Sequence, residues 1–308
     1  MQETRLISKS LVRKNFSSIS SPVKPKWLKI QLPSRKTLET KKIVNRQKLT
    51  TVCEEALCPN LSECWSKKHA TFMILGNVCT RSCSFCNIQT GKPKSIDEFE
   101  PLRVARAVKD LELQHVVITS VDRDDLSDGG ALHFYNTIKM IKKLSPDISI
   151  EILTPDFKNK ENYLETISSC EINVFNHNLE TVKNLYNDIR PGASYTHSLS
   201  LLESVKNKKQ NILTKSGIMI GLGEKLIEIK ELFSDLRSVN VDFLTIGQYL
   251  RPSLKHYPVI QYYDHTYFND LKGIATDMGF KAVNSSPFAR SSYKSAEENE
   301  IIKSNINH

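Results

Sequence analysis

Long hydrophobic runs are missing from this 308-residue chain. Its apolar stretches, such as TFMILG (71–76) and HVVIT (115–119), fall far short of the ~20 residues that span a bilayer. A secretory h-region is likewise missing, so the disulfide frameworks of small secreted domains are not expected. Zinc-type cysteine pairing is absent too: no CxxC is matched by a second CxxC or by paired histidines, the usual four-ligand sets. The net charge of +9 lacks the pattern of a nucleic-acid surface. Residues 1–48 hold 13 Lys+Arg against 2 Asp+Glu, whereas the rest of the chain holds 30 against 32. The excess is local, and no basic stripe interleaved with aromatics runs through the body.

What the chain does have is clustered thiols. Six of its seven cysteines lie between Cys53 and Cys86, in two triplets of different spacing. Cys53, Cys58 and Cys64 read CxxxxCxxxxxC, and Cys79, Cys83 and Cys86 read CxxxCxxC. Closely spaced thiolates suit an iron–sulfur cluster. Three ligands in place of four leave one iron open to another ligand, which turns an electron carrier into a catalyst. Cys170, the seventh, reads as a small buried thiol that precedes a strand and is not expected to be a ligand.

From residue 71 the chain alternates strand and helix. Strands are expected at 71–76, 115–119, 148–153, 172–176, 216–220 and 242–247, with amphipathic helices at 102–113, 131–144, 196–208 and 225–239. Near-continuous apolar strands between helices imply an α/β fold with a parallel sheet. Six units cannot close an eight-stranded barrel, so an open (β/α)6 partial TIM barrel is expected, with N-terminal and C-terminal extensions over its mouth. The expected division is a basic arm (1–48), a first cysteine segment (49–70), the barrel (71–284) and a tail (285–308).

The second cysteine loop starts at the C-terminal end of the first barrel strand, where parallel barrels carry their active sites. Pro93 and the polar GKPKS stretch keep that loop from becoming helix. Three later loops share this edge: Asp128-Gly129-Gly130 after the second strand, Asn176-His177-Asn178 after the fourth, and GIMIGLGE (217–224) around the fifth. Glycines there let backbone approach a ligand closely. An acidic turn before a helix, a histidine satisfied by loop hydrogen bonds and a strand-packing glycine are the plain alternatives.

CxxxCxxC with Phe85 before its last cysteine resembles the signature of the radical S-adenosylmethionine enzymes. The resemblance implies a partial barrel and a 4Fe-4S cluster on Cys79, Cys83 and Cys86, with S-adenosyl-L-methionine on the open iron. It places Asp128, Gly129 and Gly130 at the methionine amino group, although no glutamate follows them. Gly221 and Glu224 fall beside the adenine. Apart from the resemblance, Asn176 and Asn178 form a polar cluster at a strand's C-terminal end that suits substrate or cofactor contact.

The segments VCEEALCPNLSECW, VVITSVDRDDLSDGGA, VFNHNLE, RPGASY, TKSGIMIGLGE, LTIGQYLRPS and ARSSYKSA closely resemble the lipoyl synthase family. That resemblance implies insertion of two sulfur atoms, at C6 and C8, into a protein-bound octanoyl group. It also implies a second, auxiliary 4Fe-4S cluster on Cys53, Cys58 and Cys64 as sulfur donor, with Ser292 of Arg290-Ser291-Ser292-Tyr293 as fourth ligand. Expected partners are octanoylated lipoyl carrier domains (2-oxoacid dehydrogenase E2 subunits, glycine cleavage H protein), a reducing electron donor and a cluster-repair protein. A monomer without nucleic-acid or membrane partners is expected, in bacterial cytoplasm or, alternatively, a mitochondrial matrix or plastid. The basic arm is open to three readings: a docking element for an acidic carrier, a targeting segment, or a solvated tail. Rival readings are another two-cluster radical enzyme and a ferredoxin-like electron carrier.

Overall fold

The computed structural model describes residues 16–29, 32–66, 70–292, 298, 300–302 and 304. It divides into two compact units: residues 30–80 with 88–175, and residues 1–29 with 81–87 and 176–308, each in its described parts.

In the first of these units the chain opens with helix α1 (Arg35–Arg46), inside the segment read as a basic arm. Ser34 starts it by accepting from the Thr37 backbone N–H, while Thr37 answers in a reciprocal cap. Thr37 and Thr40 then donate to the carbonyls of Ser62 (3.1 Å) and Trp65 (2.7 Å), so α1 is pinned to helix α3 (Leu61–Ser66). Between them lie strand β1 (Thr50–Thr51) and the short helix α2 (Val52–Glu55).

Strand β2 (Thr71–Ile74) follows, buried at every residue, and then the small parallel pair β3 (Val78–Cys79) and β4 (Gln89–Thr90). Strands β5 (His115–Ser120), β6 (Ser149–Leu153) and β7 (Val174–Asn176) continue the sheet in the order β1-β2-β5-β6-β7. Strand β1 runs antiparallel to β2, and the β2–β5 and β5–β6 pairs are parallel. Helices α4 (Glu100–Asp110), α5 (Ala131–Leu144) and α6 (Tyr163–Ser168) lie in the connections.

In the other unit β8 (Leu213–Ile220), β9 (Phe243–Gln248) and β10 (Ala282–Ser285) pair in parallel. The helices here are α7 (Tyr186–Ile189), α8 (Tyr195–Lys208), α9 (Leu226–Ser238) and α10 (His265–Asp277). Asp264 starts α10 by accepting from Tyr267 N. Strand β9 is buried throughout, the mark of a strand covered on both faces.

The fold is therefore α/β with a mostly parallel sheet, as expected. Besides the six expected strands, β1 pairs with β2 and β10 with β9. Both are short and carry polar residues, so neither shows an apolar run. Strand β8 starts three residues before the expected 216 because Lys215 is buried within it. Of the apolar residues near the end of residues 1–33, Leu28 is buried, whereas Trp27 is 40% and Leu32 83% exposed. Ile30 lies outside the described residues. Among the described residues, no helix is long and apolar enough to cross a membrane.

Candidate active site

The turn after β2 is made by Leu75 and Gly76, both at positive φ (68° and 86°). Buried Glu100 fixes it by accepting from Leu75 N at 2.8 Å, with His133 Nε2 also 2.8 Å from the same carboxylate oxygen. Buried Arg123 donates to the Leu75 and Lys94 carbonyls and makes a two-pronged contact with Asp125. Burial would raise the Asp125 carboxyl, but the guanidinium outweighs it and holds the group below its ordinary value. Cys79 ends β3, with its Sγ 3.7 Å from Asp122 Oδ2, and the Thr80 backbone N–H donates to the Asp122 carbonyl. Glu100, Arg123 and Asp122 were not singled out from the sequence. The buried charges at 100 and 123 have partners far away in the chain.

The other two cysteines of the motif lie in the second unit, closed into a turn by Cys86 N donating to Cys83 O (3.2 Å). Ser84 anchors the turn on two sides. Its N–H and Oγ donate to the Ile189 and Asp188 carbonyls, and its carbonyl accepts from Tyr257 N. Phe85 packs against the buried cluster of Ile189, Leu222, Tyr249 and Val259. Cys79, Cys83 and Cys86 are not joined in disulfides and are half-buried.

Asp128 spends both carboxylate oxygens on the start of α5, accepting from Gly130 N (2.9 Å) and Leu132 N (2.8 Å). Gly129 and Gly130 both have positive φ, and a Cβ on Gly130 would sit 2.3 Å from Leu75 Cδ1. This trio thus builds the entry to α5.

Glu224 folds back so that its carboxylate accepts from Gly221 N (2.6 Å) and Leu222 N (2.9 Å), closing the turn after β8. Burial raises its carboxyl above the ordinary range, against those backbone hydrogen bonds. Gly221 has φ 99°, and a Cβ there would meet Gln248 Nε2 at 2.2 Å. These residues shape a tight loop from backbone.

Asn176 is fully buried at the end of β7, and His177 is a core histidine 3.0 Å from Ser198 Oγ. Asn178 donates to Glu180 Oε1 (3.0 Å), and Arg190 donates to the Asn178 carbonyl (2.7 Å).

The tail runs close to Asn178 and strands β8 and β9. Ser291 Oγ donates to Asn178 Oδ1 at 2.8 Å, over Gly217, where a Cβ would lie 2.8 Å from both atoms. A Cβ on Gly247 would lie 2.2 Å from the Ala289 carbonyl, so two glycines let residues 289–291 cross β8 and β9. Arg290 donates to the Gln248 and Ala289 carbonyls. Ser292 follows, half-buried, and Tyr293 lies outside the described residues.

In the first unit, buried Cys53 sits in α2, Cys58 in the following turn and Cys64 in α3. Cys58 N donates to the Cys53 carbonyl (3.0 Å). Burial, with Cys58 nearby, pushes the Cys53 thiol up to about 12. Cys170 is buried with its thiol 3.3 Å from the Thr166 carbonyl, the structural role expected for it.

Among the described residues, no three His, Cys, Asp or Glu side chains are arranged as a metal-binding group. The donor chemistry nonetheless fits iron–sulfur ligation: six thiols outside any disulfide, in two sets of three, soft ligands of the kind that hold such clusters.

Several solved structures share the fold at low identity. SuiB of Streptococcus suis, bound to S-adenosylmethionine, matches with a TM-score of 0.52 at 14% identity, covering 71% of this chain and 50% of that one. Methylornithine synthase (PylB) gives 0.52 at 12%, covering 90% and 89%. HydG, a maturase of the FeFe-hydrogenase, gives 0.53 at 12%, covering 88% and 74%. The chain thus spans about half the length of SuiB. Residues 73–236, more than half of this chain, match the model of the Radical SAM superfamily. That span contains Cys79, Cys83 and Cys86, and the superfamily implies a 4Fe-4S cluster and S-adenosylmethionine. The chain belongs to the Radical SAM superfamily of enzymes.

Proposed function

We propose that the chain is a lipoyl synthase, inserting sulfur at C6 and C8 of an octanoyl group held on a lipoyl carrier domain. The observation that carries this reading is the docked tail. Residues 289–291 cross β8 and β9, and Ser291 is fixed to Asn178, immediately before the serine the family resemblance makes a cluster ligand.

Cys79, Cys83 and Cys86 would hold the superfamily's cluster. Together with S-adenosylmethionine that group supplies, when bound, a hydrogen-abstracting carbon radical. Phe85, in its apolar cluster, keeps water from that side of the cysteine turn. Glu224 makes the turn after β8 stiff by accepting from Gly221 N and Leu222 N, and this turn would lie beside the cofactor. Cys53, Cys58, Cys64 and Ser292 would hold a second 4Fe-4S cluster, which is consumed as the sulfur-donating substrate. A serine oxygen is a harder ligand than thiolate and leaves iron more readily, which suits a cluster that must give up sulfide. Asn178 and Arg290 set where Ser292 begins, and octanoylated E2 subunits or the glycine cleavage H protein supply the acyl chain.

The test is anaerobic incubation of reconstituted protein with S-adenosylmethionine, a reductant and an octanoylated carrier domain. Lipoylated carrier and 5′-deoxyadenosine are expected together. Deoxyadenosine with the octanoyl chain unchanged would reject the reading while leaving superfamily membership intact.

A further inference from the structure

Arg251 is a heavily engaged arginine outside the loops assigned above. Its three guanidinium nitrogens donate to five acceptors. Two are in its own loop, the carbonyls of His256 (3.0 Å) and Leu254 (2.7 Å). Three are in the N-terminal segment: the carbonyls of Phe16 (2.8 Å) and Ile19 (2.8 Å), and Ser21 Oγ (3.2 Å). Ser21 Oγ also accepts from Val259 N at 3.0 Å, and the Phe16 ring meets Tyr257 edge-on at 5.1 Å. Residues 16–21 are therefore clamped to the 251–259 loop.

The same loop grips the cysteine turn. His256 is buried, with Nδ1 2.9 Å from Ser253 Oγ and Nε2 3.1 Å from the Cys86 carbonyl. A carbonyl only accepts, so Nε2 carries the proton and Nδ1 accepts from the Ser253 hydroxyl. One residue on, Tyr257 N donates to the Ser84 carbonyl at 2.9 Å. Two of the carbonyls between Cys83 and Cys86 are thus held by the loop that Arg251 ties to the N-terminal segment.

We propose that Arg251 and His256 are positioning residues through which the N-terminal segment 16–21 braces the Cys83–Cys86 turn and sets how tightly it holds its cluster. This role rests on superfamily membership alone and is independent of the sulfur-insertion reading. Arginine suits it because a planar fork reaches several carbonyls at once, which a lysine ammonium cannot.

The test uses the full chain, reconstituted anaerobically, with two readouts that need no acyl substrate. One is the rate at which an iron chelator bleaches the cluster. The other is the S-adenosylmethionine-induced change in the spin-resonance spectrum of the reduced protein, which reports only the cluster with an open iron. Arg251→Ala and His256→Ala should bleach about two- to tenfold faster, the scale of one or two lost hydrogen bonds, with an altered spectrum. His256→Gln should restore both, since its carboxamide N–H can replace Nε2–H, whereas Arg251→Lys should not. Ser21→Ala, remote from the cysteines, should show the same faster bleaching in smaller measure and remains informative if an Ala variant fails to fold. Wild-type bleaching and spectrum in folded Arg251→Ala and Ser21→Ala would overturn the proposal.

Discussion

The Ser291 hydroxyl donates to the Asn178 carboxamide at 2.8 Å across 113 residues of chain, joining the C-terminal tail to the loop after β7. Gly217 makes that approach possible. Ser291→Ala should cost about 1 kcal/mol, one hydrogen bond's net contribution. Gly217→Ala should cost more, about 1–3 kcal/mol, because its methyl would push against both partners. Urea unfolding of the two variants checks the order, and equal losses would argue against the packing account.

Further along the tail, Lys215 and Glu298 form a buried ion pair at 2.6 Å, their side chains 1% and 3% exposed. Removing one partner leaves a buried charge, so Glu298→Ala should destabilise by about 3–5 kcal/mol. The double change Lys215→Met with Glu298→Leu should recover most of that loss, since an apolar pair needs no desolvated charge. Thermal unfolding of the single and double variants decides it.

Asp242 contributes to the acid sensitivity. Burial would raise its carboxyl, but hydrogen bonds from Lys206 (2.6 Å) and Thr214 N (2.9 Å), with Lys281 at 2.8 Å, hold it below the ordinary range. Its folded value thus lies below the unfolded ~3.9. Its stabilisation is fully present above about pH 4 and is lost as pH falls through the folded value. In unfolding curves between pH 3 and 7, Asp242→Asn should lack that acid-dependent component while the wild type shows it.

The two cysteine sets should separate by function. The intact protein should bind about eight irons, one cubane per set, and about four when Cys53, Cys58 and Cys64 are replaced by Ala. That triple variant should still cleave S-adenosylmethionine without inserting sulfur, whereas the Cys79, Cys83, Cys86 triple should do neither. Ser292→Cys should keep its iron and release sulfur poorly, since thiolate holds iron more firmly. Iron assay with product analysis tests all three expectations.

Much of this was legible from local pattern. Helix α5 fell at 131–144 as read, and the apolar strands β2, β5 and β6 were found to within two residues, because burial on both faces leaves continuous apolar runs. Helices α1 and α10 were missed although Ser34 and Asp264 cap them, since charge in one and mixed polarity in the other hid the apolar face. Long-range polar partners were beyond reach. Nothing near Lys215 announces Glu298, 83 residues on, and nothing near Arg251 announces Phe16, 235 residues back. The local work of Asp128 was also hidden: its carboxylate accepts from Gly130 N and Leu132 N at the first turn of α5.

The most direct test of the central claim follows the sulfur. The protein is reconstituted with isotopically heavy sulfide and given octanoylated carrier, S-adenosylmethionine and reductant for a single turnover. The account predicts heavy sulfur at both C6 and C8 of the product, and loss of that product when Cys53, Cys58 and Cys64 are replaced. Lipoyl product carrying only unlabelled sulfur, or formed equally well by the variant, would contradict it.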